Sequence, residues 1–548
     1  MNLFTSHRSS TRRATTALLM GGLMLLAVVA QPAAAQLQSA LAETTAEPLT
    51  LTLDEAIQIA LVNNYTIRNN RLDVDNARAQ VREAWGDVLP QVDASSSYTR
   101  NLKTANPFAG SQAGSFFSSF GFIDWLSFNE QARTDDDPVT IPITFAEFQE
   151  RQFTGLQDAG VDLSGGSDNP FAVENQFQNG INITQTIFSG RAFAAIKGAE
   201  RLKLAFQRGV DRQEQVLVDQ VRQSFYQALL AQEQAKVSLQ SVSRTQRTRD
   251  ETARRVSQGV APKFQRLSAD VQLANLQTQL VQIQNQSASA LDNLKFTLGI
   301  PVEQPLQLRG ALEADDEYNP YQAISVQDAF SLAVDRRPDI EQAQLTVDLR
   351  KIDKNIARSD YLPNLSAFAN FSYTGSVPDS RTFTLTDPDD PFKFTTGEND
   401  FFSSAYWQPS INVGFSLRWN LFNGFRTKAQ VQQRQIAVER AELELTQLQQ
   451  SVRLEVETAL RDLQTAQQRI LSQEQNVANA ELNYTYASTR LKEGVATPLE
   501  ERDASDQLDQ SRLNYLQAVY DYLVARSAFE TAVGVPLGQQ TDIKLTSR

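Results

Sequence analysis

Residues 191–257 read RAFAAIKGAERLKLAFQRGVDRQEQVLVDQVRQSFYQALLAQEQAKVSLQSVSRTQRTRDETARRVS, with no proline and only two glycines, Gly198 and Gly209. The spacing predicts one helix about 100 Å long at ~1.5 Å per residue, several times an ordinary globular helix. Its inner half carries a seam, Val218, Val221, Phe225, Ala228, Gln232, Ala235, Leu239 and Val242, whose steps alternate between three and four. That is a heptad pattern with one polar interruption. The remaining positions are Gln, Arg, Glu, Asp, Ser and Thr, so the helix must lie against neighbours along a narrow stripe.

The segment occurs twice. A second seam runs through Val452, Val456, Ala459, Leu463, Ala466 and Ile470 towards Leu491. Each long helix is preceded by the same turn, Ile187-Phe188-Ser189-Gly190 and Leu421-Phe422-Asn423-Gly424. Each ends at the same break, Gly259-Val260-Ala261-Pro262 and Gly494-Val495-Ala496-Thr497-Pro498. Glycine at a helix end with proline opening the next helix predicts an antiparallel hairpin. The return helices run from about Pro262 to Thr297 and from Pro498 to Ala532, each roughly half as long as its partner and closed by Gly299-Ile300-Pro301 or Gly534-Val535-Pro536.

Upstream the duplication continues. Thr52 with Glu55 forms a capping box ahead of a short helix, a second helix follows from about Thr66 to Val88, and Leu89-Pro90 stops it. Ile324 to Ala329 opens the matching pair, which ends at Leu362-Pro363, 273 positions on. These short helices are expected to cover the half of the long helix that the return helix leaves open. After each Leu-Pro comes an alternating segment, Val92 to Arg100 and Leu365 to Tyr373. A second alternating segment precedes each long helix, with Ile181, Ile183 and Ile187 in one copy and Ile411, Val413, Phe415, Leu417, Trp419 and Leu421 in the other. These are strands of ~9–11 residues with one apolar and one polar face, the length that crosses a bilayer. Between them lie stretches 101–178 and 374–409, rich in Phe, Ser, Gly, Asp and Pro and expected to be irregular. Their acidic clusters Asp135-Asp136-Asp137 and Asp387-Pro388-Asp389-Asp390 read as solvated loop.

Composition narrows the function. Arg8, Arg12 and Arg13, an apolar run from Ala17 to Ala30 and Ala33-Ala34-Ala35 form a secretory signal peptide with cleavage expected after Ala35. Its loss removes three arginines and no acid, taking the formal charge from −13 to −16, which argues against nucleic acid as a partner. No later stretch is apolar enough for a membrane helix, so membrane entry would be by strands. Cysteine is absent, which leaves none at the new N-terminus for acylation, and the single histidine, His7, lies in the signal peptide. The usual nucleophile triads, zinc sites and imidazole catalysis are therefore excluded; no enzyme activity, cofactor, metal or catalytic residue is expected.

Four strands cannot close a barrel in lipid, and an open edge is not tolerated there, so the chain must oligomerise. Two chains give eight strands with a filled interior; three give twelve with a lumen. In this duplicated order, with Leu-Pro before the first strand of each repeat, Phe-x-Gly before each long helix and Gly-Val at each hairpin tip, the chain resembles the TolC-type outer membrane efflux proteins from about Leu51 to Pro536.

The resemblance implies a mainly α protein with membrane β: a homotrimer whose 12-stranded β-barrel, four strands per chain, is continued by a periplasmic α-helical barrel. It further implies residence among outer membrane lipid, docking to a periplasmic adaptor and an inner-membrane pump, ABC or proton-driven, and a role as the exit duct in drug efflux or type I secretion. The expected division is 1–35 signal peptide, 36–50 periplasmic lead, 51–300 first repeat with loop 101–178, 301–323 linker, 324–536 second repeat with loop 374–409, and 537–548 tail. Acidic residues after the second tip glycine form a constricting ring in that family, and by position these are Glu500 and Asp503, although Glu stands where Asp is usual and the first repeat has Gln265 where an acid can occur. The tips, Arg254, Arg255, Val256, Gly259 and Val260 with Leu491, Gly494 and Val495, are the expected adaptor contact. The alternative is a coiled-coil envelope tether without channel activity, which would have no use for lipid-length strands.

Overall fold

The computed structural model describes residues 48–103, 120–135, 140–161, 173–313, 321 and 324–535. The expected signal peptide, most of the lead and the tail lie outside them. Two helices of 68 and 67 residues, α5 (Gly190–Ser257) and α9 (Arg426–Lys492), dominate the molecule. They fold back into α6 (Lys263–Leu298) and α10 (Pro498–Val533), each of 36 residues. The seam residues Val218, Val221, Phe225 and Ala228 of α5 and Val452, Val456 and Leu463 of α9 are buried, as the heptads require. Gly259 and Gly494 adopt φ of 76° and 77°, the left-handed turn that lets each hairpin reverse.

The short helices fill the remaining flank. They are α1 (Leu53–Asn63) and α2 (Tyr65–Gly86) in the first repeat, α7 (Val326–Arg336) and α8 (Pro338–Arg358) in the second. Helix α2 packs on α5, whereas α8 lies between α5 and α9. A core cluster at this level, including Ala56, Ala60, Phe225, Leu294, Val456 and Phe529, joins both repeats. Beside it β1 (Leu49–Leu51) pairs in parallel with β4 (Leu306–Leu308).

The duplication extends to atomic detail where short and return helices meet. Asn64 caps α2 and donates Nδ2 to the Thr297 carbonyl at 2.9 Å. Arg337, at the same place before α8, donates Nη1 to the Ala532 carbonyl at 3.0 Å. Gly299 and Gly534 end the return helices against those caps with φ of 71° and 77°.

Four antiparallel strands, β2 (Gln91–Arg100), β3 (Asn175–Phe188), β5 (Asn364–Val377) and β8 (Trp407–Arg418), form a sheet in the order β2-β3-β5-β8. Through the middle of the sheet the register gives one apolar and one polar face. Ala94, Ile181, Phe371 and Ile411 align across one face, and Asp93, Asn182, Asn370 and Asn412 across the other. Strands β2 and β8 are edges with no partner among the described residues.

Two stretches expected to be irregular carry structure instead. The strands run on to Val377 and start as early as Asn175 and Trp407, and 101–178 contains α3 (Phe120–Thr134) and α4 (Phe145–Asp158). Stretch 374–409 contains the hairpin β6 (Thr382–Thr386) and β7 (Phe394–Glu398). The aromatic residues responsible are partners across the two stretches. Phe128, Phe148 and Phe392 pack with ring centroids 5.2–5.6 Å apart, and a Cβ on Gly155 would collide with the Phe392 carbonyl. Asn129 fixes the α3–α4 connection by bonding both the N–H and the carbonyl of Ile143. Asp387 and Asp390 accept backbone N–H groups in the hairpin turn, as solvated turn acids do. Asp136 and Asp137 of the other acidic cluster lie outside the described residues.

Candidate functional site

The ends of the two hairpins carry the residues singled out by sequence. In the first tip, Val260 N–H bonds the Arg255 carbonyl across Gly259, and Arg254 and Arg255 both reach Glu251, at 2.8 and 3.3 Å. In the second, Val495 N–H bonds the Arg490 carbonyl across Gly494. Val260 and Val495 project into solvent with 73% and 66% of their surface exposed, whereas Val256 and Leu491 are half-buried within their hairpins.

Glu500 and Asp503 lie in the first turns of α10, both exposed. Glu500 completes a capping box with Thr497, accepting from its N–H at 3.3 Å and its Oγ1 at 3.1 Å, and stands 3.6 Å from Arg490. Asp503 pairs with Arg502 at 3.0 Å. The helix-capping role and a carboxylate at the aperture are compatible, because a cap uses one face of the group and leaves the other open.

The structure adds an acidic feature that the motif reading passed over. Glu501, only 7% exposed, is buried between the hairpins, and its pKa is pushed up by burial and by the Asp506 charge, against the opposing pull of Arg244 and a Tyr484 hydrogen bond. Burial also raises Asp506. Arg244 of α5 crosses to α10, where it binds Asp509 and Ser505. Spacing could have flagged Glu501: it stands with Ala504 and Leu508 at steps of three and four on the buried seam of α10.

No group of three or more possible metal ligands occurs among the described residues, and no described helix is long and apolar enough to cross a membrane.

Comparison with known proteins bears on the family and the fold. A model of the outer membrane efflux protein family matches residues 155–300 and 329–535. The chain is 22% identical over 357 residues to the alkaline protease secretion protein AprF of Pseudomonas aeruginosa, covering 65% of this chain and 69% of that one. It is 20% identical over 357 residues to the outer membrane protein TolC of Vibrio cholerae, covering 65% and 76%. Among solved structures, the CmeC outer membrane channel of Campylobacter jejuni superposes with a TM-score of 0.64 over 88% of this chain and 85% of that one, at 14% identity.

Proposed function

From the premise that the chain belongs to the outer membrane efflux protein family, we propose that it is the passive exit duct of a tripartite efflux or type I secretion system. Its fold is that of the TolC-type channels, with four strands per chain in a trimeric barrel, and it resides in the outer membrane with its helical part in the periplasm. The observation that carries conduction is the sheet: one face apolar, the opposite face lined by Asp93, Asn182, Asn370 and Asn412, and both edges open. Closed by two further copies, that polar face lines a lumen and the apolar face meets lipid. A tether needs neither face.

The helices support the same closure. Helices α6 and α9 are the free flanks of the two hairpins, and each bears exposed apolar residues towards its tip end, Leu267, Val271 and Val281 on α6 and Leu471, Leu482 and Tyr486 on α9. The two stripes run in opposite chain directions over similar lengths, the match needed for α6 of one copy to pack on α9 of the next. We read the chain as two repeats, 51–300 and 324–536, joined by a linker. Each copy then contributes two hairpins to the helical wall.

In this reading Glu500 and Asp503 line the periplasmic aperture, where a ring of carboxylates favours cations and binds divalent ions. Single-channel recording in planar bilayers tests this together with conduction. The full chain should give discrete cation-selective openings that divalent cations block from the helical side. Glu500→Gln with Asp503→Asn should raise conductance and weaken the block several-fold. Block of unchanged strength would remove both residues from the aperture, and silence from inserted wild type and double mutant alike would remove conduction.

The tips, with Arg254, Arg255, Val260 and Val495, are the proposed seat of a periplasmic adaptor linked to an ABC or proton-driven pump. A photocrosslinking residue at Val260 should capture an adaptor-sized periplasmic protein in cells, and one on the outward strand face at Val413 should not. Capture at neither position would argue against the tip as the docking point.

A further inference from the structure

Along the polar face of the four-stranded sheet, Gln, Ser, Thr, Asn and Gly predominate, and among the described residues only Asp93 and Arg418 there are ionisable. They stand on the two open edges, Asp93 on β2 and Arg418 at the inner end of β8. Both are exposed, and neither forms an ion pair among the described residues. We propose that they pair between copies, Arg418 of one chain with Asp93 of the next, and that the three resulting bridges fix the register in which the barrel closes.

Within one chain the two groups cannot meet. Asp93 shares a row with Asn182, Asn370 and Asn412, so Arg418 lies three strands away and six residues further in. At ~4.8 Å per strand and ~3.3 Å per residue that is about 25 Å. Closure changes the neighbours. Barrel strands tilt, so a row followed around the wall returns displaced along the strand. The direction is visible in the row Gln91, Thr184, Phe368, Gly414: β2 starts at Gln91, whereas β8 runs four residues further in, to Arg418. Strand β2 of the next copy therefore sits further in beside β8.

The displacement per chain must be even, because an odd step would turn an apolar face into the lumen. Steps of four and six residues give tilts of about 35° and about 46°, against ~35–45° for membrane barrels, while two and eight give about 19° and about 54°. At six, Arg418 faces Asp93 of the next copy directly. At four it faces Gln91 and reaches Asp93 on the diagonal, a separation that a long side chain spans.

Uncharged polar residues accept one another at any even step, so they do not distinguish a slip of two. One acid and one base per chain do. An exposed ion pair adds little stability, and its effect here is the choice of register. This pairing rests on trimeric closure and is independent of conduction.

The chain has no cysteine, so introduced pairs report contacts directly. Mild oxidation of the full-length protein in outer membranes should give a covalent trimer from Asp93→Cys combined with Arg418→Cys or with Ser416→Cys, the direct partners at steps of six and four. Asp93→Cys with Asn412→Cys should give none, since within one chain these are about 14 Å apart, beyond disulfide reach. A trimer cross-linked through Asn412→Cys, or through none of the three, would overturn the register. Asp93→Arg and Arg418→Asp should each leave several-fold less heat-resistant trimer on a gel, because like charges then stand across the seam. The double reversal should restore it. A double reversal no better than the single changes would overturn the ion pair, and a wild-type protein that is not trimeric would sink the closure itself.

Discussion

Replacing Arg337 with alanine is expected to cost about 3–5 kcal/mol and to leave little folded protein in the membrane. Arg337 is 4% exposed and holds four partners: both oxygens of Asp339 at 3.1 and 2.7 Å, Glu455 of α9 at 2.9 Å, and the Ala532 carbonyl that ends α10. It thus ties together α8, α9 and α10. Removing it strands Asp339 beside Arg212, which reaches that carboxylate only at 3.5 Å, and frees a helix-end carbonyl. Arg337→Asn offers a sharper comparison, since asparagine is the residue at the matching position, Asn64, and should restore the carbonyl bond but not the ion pairs. Thermal unfolding should rank wild type above Arg337→Asn and that above Arg337→Ala. Burial alone would raise the Asp339 pKa, but hydrogen bonds and charge from Arg337, with help from Arg212, outweigh it and hold it low. A carboxylate depressed in the folded state adds stability that is present above its unfolded pKa and lost as pH falls through the folded value. The wild-type joint should therefore hold at neutral pH and weaken progressively in acid, from the usual aspartate range down through the lowered folded value.

The second large effect belongs to Gly299. Valine there must hold φ near 71°, and its Cβ would stand 2.7 Å from the Asn63 carbonyl oxygen and 2.8 Å from its carbon. Backbone strain and collision with a fixed main chain together should cost about 3 kcal/mol. The other hairpin glycines give a graded series. At Gly534 the φ is similar but the nearest atoms lie 3.1–3.3 Å away, and at Gly494 nothing lies within 4 Å. Denaturant midpoints of the three valine variants should rise in the order 299, 534, 494. A flat series would mean that conformational preference alone matters and that the joint yields freely.

Much of this was legible from sequence because the periodicity is local. The seam through Val218 and Phe225, the Gly-Val tips and the alternation around Ile411 need no knowledge of distant partners. The offset that pairs Pro90 with Pro363 also pairs Asn64 with Arg337, but a neutral amide and a charged guanidinium share only their N–H donors. Only the fold shows both reaching for the last carbonyls of a return helix. Helices α3 and α4 escaped notice for a related reason: Phe128 and Phe148 look like loop aromatics until Phe392, more than two hundred residues away, is set against them. Glu501 was hidden by its neighbours, since two exposed acids matching a family pattern drew attention from the buried one between them.

The duplicated joint also has a mechanical meaning. Ser224 of α5 stands 3.4 Å from Thr297 at the joint, and from there to Gly259 the first hairpin extends about 35 residues, or about 50 Å. Each hairpin is a cantilever clamped at one level, steadied towards its tip by cross-links such as Arg244 to Asp509. A tilt of about 5° at the clamp displaces the tip by about 4 Å, more than the length of a hydrogen bond. Small repacking around Asn64 and Arg337 is thereby geared into large travel at the hairpin tips, so stiffness at the joint sets how far apart the tips can swing.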